Sequence, residues 1–251
     1  MKRYALIKPA VLAGSALFAG FALAGDPAPK AAIAPPASDL EANFGVGYTS
    51  EDVWRGINRG DDLFEASIGV SGSGSLGGLG DLDLSAGLHL LTRSAAGRAS
   101  ASAQELRINM EASKSLGCFD LAVGVTNYSG FGDWSDSDDL LEPYVALSTE
   151  LAGLDVGIGV YDDHNDVTGG DDPYIEITAS RSVDLGGLGL SVEGVVGTWN
   201  EFDDTHYGLS VCLPITASDS ITVTPHVSAI FGDTASGDDE FTAGVNLGFG
   251  F

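Results

Sequence analysis

Carboxylates form the most regular set of chemically active residues in this sequence. They recur in segments of alternating apolar and small residues, and within those segments they share a side with many glycines. Rings of carboxylates in a pore select cations, so the pattern predicts a narrow, water-filled, cation-favouring passage. In the alternative interpretation the glycines let strands bend and the acids hold structural water. The predicted pore-lining acids, with two arginines among them, are Arg55, Glu65, Asp83, Glu105, Arg107, Glu111, Glu142, Asp155, Glu176 and Glu193.

One small constellation resembles a catalyst. His226 and Ser228 are two residues apart on one strand face, and Asn246 on the next segment can lie opposite them. This set is similar to the His-Ser-Asn arrangement of outer-membrane phospholipases. That family turns its triad outward to lipid, whereas alternation turns these three residues inward. We therefore predict that the protein is not an enzyme and that it has no catalytic residues.

Aspartates cluster between the alternating segments, and carboxylate oxygens are the ligands that Ca²⁺ prefers. No cluster has the regular Asp-x-Asp-x-Asp-Gly spacing followed by Glu that a calcium loop needs. His89, His164 and His206 lack the spacing of a metal site. We predict no metal site and no cofactor.

Strands must position all of these residues. In the last twelve residues, Glu240 to Phe251, apolar side chains alternate with small ones without a slip, as strand geometry requires. We count twelve such segments. They are predicted at 41–55, 62–71, 82–90, 104–113, 119–128, 141–149, 154–161, 174–181, 188–199, 206–215, 221–231 and 240–251.

The connections alternate in character. Every second connection is short, and four of these share a Leu-small-small-apolar pattern, as at 116–119 and 151–154, while the others are longer and mostly acidic. Short turns at one rim and long loops at the other are typical of outer-membrane barrels. Twelve tilted strands close into a cylinder of roughly 24 Å diameter.

Aromatic residues gather near the long-loop ends of their strands. Amphipathic rings prefer the membrane interface, so this clustering indicates an aromatic girdle. Strict alternation would instead turn five of the rings inward, and register shifts near the rim would be needed to return them to the girdle. These five are Tyr128, Tyr144, Tyr161, Tyr174 and Trp199.

The N-terminal region differs from the rest. In residues 1–24, Lys2 and Arg3 precede an apolar run and a small-x-small site, as in a secretory signal peptide. Residues 25–39 are a Pro/Ala-rich periplasmic linker, and residues 40–251 are the predicted barrel. A net charge of −25 excludes nucleic acid as a partner. Cys118 and Cys212 are predicted to face inward, either as two buried thiols or as a disulfide.

A family resemblance rests on the first hairpin. Tyr48 to Gly60 (YTSEDVWRGINRG), followed by Asp61 to Ser67, is similar to the first hairpin of TorF-type outer-membrane porins. The shared core is Trp54-Arg55-Gly56, an aromatic-Arg-Gly motif after an early strand. The resemblance implies an outer-membrane barrel that acts as a channel, and it implies no catalytic or binding residues.

The sequence thus predicts an all-β protein, a transmembrane antiparallel up-and-down β-barrel of about 12 strands in a Gram-negative outer membrane. Its predicted function is passive diffusion of small solutes, with cations favoured. The alternative is a receptor or adhesin that acts through the acidic loops, and a barrel phospholipase is a distant third. The predicted partners are outer-membrane lipid, the barrel-assembly machinery through Phe251, and small solutes or cations.

Overall fold

The computed structural model describes residues 40–75, 80–94, 103–132, 140–162, 173–186, 188–199, 202–233 and 239–251. The predicted signal peptide and linker lie outside these ranges. No helix among the described residues is long and apolar enough to cross a membrane. The described strands are β1 (Glu41–Trp54), β2 (Ile57–Ser75), β3 (Asp81–Ser94), β4 (Ala103–Leu116), β5 (Phe119–Gly132), β6 (Leu140–Leu151), β7 (Leu154–Tyr161), β8 (Tyr174–Asp184), β9 (Gly189–Trp199), β10 (Asp204–Cys212), β11 (Ile215–Ser218), β12 (Ile221–Asp233) and β13 (Glu240–Gly250).

The strands form one closed antiparallel sheet. From β1 to β10 each strand pairs with the next along the chain, β12 pairs with β13, and β1 pairs with β13 from Asn43↔Gly250 to Thr49↔Gly244. The four-residue β11 follows β10 after Leu213 and Pro214 and pairs only with β12 among the described strands. Since β10 itself pairs with β12, β10 and β11 together make one wall strand. The wall therefore has twelve strands, as predicted.

Two-residue turns connect several strands at the rim that carries both ends of the described chain. In the β6–β7 turn, Ala152 and Gly153 both have positive φ, at 54° and 78°. Two consecutive positive φ values give the turn a twist that matches that of paired strands. The β4–β5 turn consists of Gly117 and Cys118, and it leaves the Cys118 side chain exposed. The prediction that this thiol is buried was wrong, whereas Cys212 is buried, and both cysteines are free.

The outer surface is apolar around the whole barrel. Every wall strand presents at least one large exposed apolar side chain, while most charged and polar side chains at mid-strand are buried. Contact of such an apolar surface with water is unfavourable, whereas contact with the hydrocarbon of lipid chains is favourable. The fold is therefore that of an outer-membrane barrel. One exposed residue from each wall strand in order is Phe44, Ile68, Leu88, Ile108, Val123, Val145, Ile158, Ile177, Val196, Leu209, Val227 and Val245.

An outward aromatic group lies toward the long-loop rim. Tyr48 packs on Phe64 with ring centroids 5.1 Å apart, and Phe231 packs on Phe241 at 5.8 Å. These four rings fit the predicted girdle. Tyr207 and Phe202 at the same rim are also exposed. Five further rings of this rim face inward, as strict alternation required, and they are buried: Tyr128, Tyr144, Tyr161, Tyr174 and Trp199.

Candidate functional site: the barrel lumen

The lumen is closely packed toward the long-loop rim and accessible toward the short-turn rim. Strand β8 illustrates this gradient through its five successive inward residues. Tyr174 and Glu176 are buried, Thr178 and Ser180 are half-buried, and Ser182 is exposed. We call the two regions the packed half and the wide half.

The tip of the β1–β2 hairpin enters the packed half. Pairing of β1 with β13 ends at Thr49, and pairing of β2 with β3 ends at Asp61, with register irregularities at Asp52/Val53 and between Asp61 and Phe64. Residues 52–60 therefore pair only with each other among the described strands. Freed from the wall on both sides, the tip bends inward.

The turn of this hairpin is Arg55-Gly56, with φ of 51° and 78°. We predicted that the first strand runs to Arg55 and that the second begins at Asp62. The structure corrects both limits, because β1 ends at Trp54 and β2 begins at Ile57. A tight turn with two positive φ values takes the place of a polar loop.

Arg55 is fully buried among aromatic rings. Its Cζ lies 4.8 Å from the ring centroid of Tyr161 on β7, 4.3 Å from that of Tyr174 on β8 and 5.1 Å from that of Trp199 on β9. These distances fall within the range of cation–π attraction, which strengthens when the cation is desolvated. The Arg55 side chain thus joins the hairpin tip to the opposite wall.

Glu142 on β6 balances the Arg55 charge. Its Oε2 lies 2.6 Å from Arg55 Nη1, and both side chains are almost completely buried. Tyr128 donates a hydrogen bond of 3.1 Å to the other oxygen, Oε1. A buried carboxylate is tolerated only when it is paired and hydrogen-bonded, and Glu142 meets both conditions.

The aromatic rings are fixed by wall residues. Tyr174 donates a hydrogen bond of 2.8 Å to Glu176, and Tyr144 donates one of 2.7 Å to Glu111. Tyr174 and Tyr161 pack on each other with centroids 5.7 Å apart. The phenol groups therefore have partners that do not belong to the hairpin.

Inward glycines make room for these rings. A Cβ on Gly197 would lie 2.1 Å from the Tyr174 hydroxyl, and one on Gly124 would lie 2.4 Å from the Tyr144 ring. In the packed half these glycines accommodate aromatic rings. In the wide half Gly189, on the same strand as Gly197, has no atom within 4 Å of its Cβ position.

A second charged cluster lies beside the hairpin tip. Arg93 donates a 2.8 Å hydrogen bond to Asp52, and Arg59 donates one of 3.0 Å to Glu105. Arg107 Nε donates to the other Glu105 oxygen at 2.5 Å. Three guanidinium groups thus surround two carboxylates, and the cluster ties the hairpin tip to β3 and β4.

Sequence reasoning missed Arg59 and Arg93 on the inner side. Alternation along β3 places Arg93 on the inner face together with His89, so the inward direction of Arg93 could have been predicted from the sequence. Arg59 was assigned to a loop because the turn was placed too late in the sequence. Among the described residues the packed half therefore contains four arginines, whereas only two were expected opposite the acids.

The other predicted site residues are distributed along the inner face. Glu65 and His89 form a 3.0 Å contact near mid-barrel, and Asp83 accepts a 2.7 Å hydrogen bond from Ser73 in the wide half. Asp155 and Glu193 are half-buried in the same half. The structure thus brings Arg55 together with Glu142, and Glu105 with Arg107. Their role in lining a pore stays a prediction.

The three residues of the catalyst-like set face inward and are buried. His226 Nε2 lies 3.2 Å from the Thr49 hydroxyl, and the Ser228 hydroxyl lies 2.7 Å from that of Ser210. These functional atoms therefore have partners outside the set. Asn246 pairs along the backbone with Thr224 and lies on the inner face beside Gly47.

The acidic loops of the long-loop rim lie mostly outside the described residues, within 133–139, 163–172, 200–201 and 234–238. The receptor or adhesin alternative depends on those segments. It stays a prediction.

Comparison with known proteins supports the architecture. No family model matches the sequence. No curated protein matches it either. Among solved structures, an outer-membrane channel from Pseudomonas putida F1 has a TM-score of 0.54 at 12% identity, over 87% of this chain and 97% of that chain. The KdgM porin has a TM-score of 0.51 at 9% identity, over 83% and 99%. At these identities the likeness shows the fold, which is that of porin and channel barrels of the outer membrane.

Proposed function

We propose that this protein is an outer-membrane porin-like channel for passive diffusion of small solutes, with cations favoured, and that it is not an enzyme. The observation that carries the proposal is the wide half of the lumen. There, inward residues such as Ser180 and Asp155 are half-buried within a barrel that is apolar outside. A polar, accessible interior inside an apolar cylinder is what a diffusion channel needs.

The cation preference is supported by the inward acids of the wide half. Asp83, Asp120 and Asp155 lie there, whereas the four buried arginines of the described residues belong to the packed half. Carboxylates that face water concentrate cations and repel anions. Because the hairpin tip enters the packed half and its Arg55 side chain is buried there, we expect this half to restrict the pathway and the unit conductance to be small.

Planar-bilayer recording of the purified mature protein tests this proposal. We expect discrete conductance steps and a reversal potential of cation-selective sign in a KCl gradient. A preference for chloride would overturn the selectivity. The absence of any conductance from protein that is folded by heat-modifiable gel migration would overturn the channel itself.

Two further assignments belong to the same proposal. A relation to the TorF-type porins is supported by the resemblance of Trp54-Arg55-Gly56 to the motif of their first hairpin. Phe251, whose ring is exposed beside the β1–β13 closure, serves as the signal for the barrel-assembly machinery. Deletion of Phe251 is expected to reduce the assembled fraction in the outer membrane, and unchanged assembly would contradict this role.

A further inference from the structure

The aromatic wall around Arg55 has the features of a cation site that does not need the hairpin. We define the ring wall as Tyr161, Tyr174 and Trp199, three neighbouring rings on β7, β8 and β9. Tyr161 packs on Tyr174 at 5.7 Å, and Tyr174 packs on Trp199 at 4.7 Å between centroids. Gly197 accommodates the Tyr174 side chain. The rings are thus positioned by one another and by the barrel wall.

Glu142 supplies the negative charge at this wall. It comes from β6, and Tyr128 of β5 donates a hydrogen bond to it, so the carboxylate is also held by wall residues. Aromatic faces beside a buried carboxylate attract a desolvated, delocalised cation most strongly. A planar guanidinium fits this combination because it stacks on rings and pairs with a carboxylate at once.

Arg55 differs from the wall in how it is held. It belongs to the two-residue turn at the centre of residues 52–60, whose backbones pair only with each other among the described strands. The guanidinium therefore reaches the ring wall from a hairpin tip that is separate from the wall's backbone. In this arrangement Arg55 has the position of a ligand carried on a short tether.

We propose that the ring wall and Glu142 form a binding site for solutes that carry a guanidinium group, and that Arg55 occupies this site until such a solute displaces it. The inference rests on the proposed channel, because it names the class of solute that the channel recognises. Displacement of Arg55 would move the hairpin tip away from the ring wall and widen the packed half. The passage of guanidinium-bearing solutes would then depend on their binding.

A tethered competitor lowers the apparent affinity for a free one. Even a group on a short flexible connection competes at an effective concentration on the order of millimolar, and the paired hairpin, tied to β3 and β4 by its charged cluster, holds Arg55 more firmly than that. The native protein is therefore expected to bind a free guanidinium solute weakly, and removal of the Arg55 side chain is expected to expose the full affinity of the site.

Calorimetric titration with L-argininamide tests the proposal on full mature protein folded in detergent micelles. We expect Arg55→Ala to bind this probe at least about tenfold more tightly than the native protein, since the competitor is gone. Arg181→Ala, which removes an exposed arginine from β8, serves as the matched control and is expected to behave as the native protein does.

Two double variants locate the site. Adding Glu142→Gln or Trp199→Ala to Arg55→Ala is expected to weaken argininamide binding on the order of tenfold, because each removes a charge or ring partner. Arg55→Ala that binds no more tightly than the native protein would overturn the proposal. Double variants that bind as tightly as Arg55→Ala would overturn it as well.

Arg55→Lys covers the case in which Arg55→Ala does not fold. It keeps a charge beside Glu142, but an ammonium is more strongly hydrated and does not stack as a guanidinium does. Argininamide is therefore expected to raise the melting temperature of Arg55→Lys more than that of the native protein. Lysinamide at equal concentration is expected to produce no such difference between the two proteins. An equal effect of the two compounds would overturn the proposal.

Bilayer recording separates this inference from the proposed channel. Argininamide binding without conductance in any variant would preserve the site and remove the channel. Conductance without argininamide binding would preserve the channel and remove the site.

Discussion

The packed half and the wide half of the lumen are made by the same strands, yet their side chains perform different tasks. On β9 the inward residues toward the long-loop rim are Trp199 and Gly197, both buried, whereas Ser191 and Gly189 toward the short-turn rim are accessible. In the packed half each charge has a side-chain partner or aromatic neighbours. In the wide half small residues leave the acids near water. One alternating pattern thus encodes a constriction at one end and a vestibule at the other.

The difference teaches that inward polarity alone does not define a pore. The packed half contains more ionisable groups than the wide half, but its groups neutralise one another around the hairpin tip. Buried ion pairs help to specify one conformation, but removing their charges from water costs considerable free energy. Accessible acids, by contrast, act on mobile ions. The comparison assigns closure to the packed half and ion preference to the wide half.

The largest effect is expected from Glu142→Gln, which leaves Arg55 buried without its carboxylate. Removal of one partner from a buried ion pair costs about 3–5 kcal/mol, so the free energy of unfolding should fall by that amount. Urea titration of the barrel in lipid vesicles measures it. Glu150→Gln at the exposed short-turn rim is the control, with an expected change within about 0.5 kcal/mol. Equal losses in the two variants would erase the distinction between the halves.

A pair of glycines on β9 gives the next largest effect. A Cβ at Gly197 would lie 2.1 Å from the Tyr174 hydroxyl, so Gly197→Ala should destabilise the barrel by about 1–3 kcal/mol through overpacking. Gly189→Ala meets no atom within 4 Å and should stabilise it by about 0.4–1 kcal/mol, because alanine restricts the unfolded chain. Urea titration measures both. Gly197→Ala that is as stable as the native protein would mean that the packed half can rearrange around a methyl group, and Gly189→Ala that is as destabilised as Gly197→Ala would mean that the wide half is equally packed.

Thiol accessibility gives a smaller contrast. Ser180 is half-buried in the wide half, whereas Ser228 is buried and shares a 2.7 Å hydrogen bond with Ser210. In a Cys118→Ser background, Ser180→Cys should react with a charged methanethiosulfonate on the order of tenfold faster than Ser228→Cys, because reactivity follows exposure. The rates are measured by mass spectrometry, with the parent protein as the control for Cys212. Equal rates would show that reagent reaches both halves.

The strands and short turns were predictable because their signals are local. A period of two identifies a strand from its own residues, and the turns at 116–119 and 151–154 are visible as small residues between apolar ones. The inward direction of the five buried rings, from Tyr128 to Trp199, also followed from alternation, although the preference of aromatic rings for the membrane interface predicted the opposite direction. The pull of the membrane interface on these rings is outweighed by hydrogen bonds and ring contacts inside the barrel.

The hairpin tip was not predictable, because its position depends on contacts across the lumen. Asn-Gly and Asp-Gly are the usual signals for a turn with two positive φ values, and Arg55-Gly56 lacks that signal. The guanidinium position depends on Glu142 and on rings far away in the sequence. The role of Gly197 is equally hidden, since the side chains that occupy its space come from neighbouring strands. Alternation shows which residues face inward, but it does not show which of them meet.

The smallest expected effect concerns ion preference in the wide half. Neutralising two accessible acids in Asp83→Asn/Asp155→Asn should lower the cation-to-anion permeability ratio on the order of twofold, because screened charges at a vestibule act weakly. Reversal potentials in a KCl gradient measure the ratio, and the shift should disappear in 1 M salt. Asp219→Asn, in the exposed β11–β12 turn, is the control. If Glu105→Gln in the packed half changed the ratio more than the double variant did, selectivity would belong to the constriction, and the assignment of tasks to the two halves would be reversed.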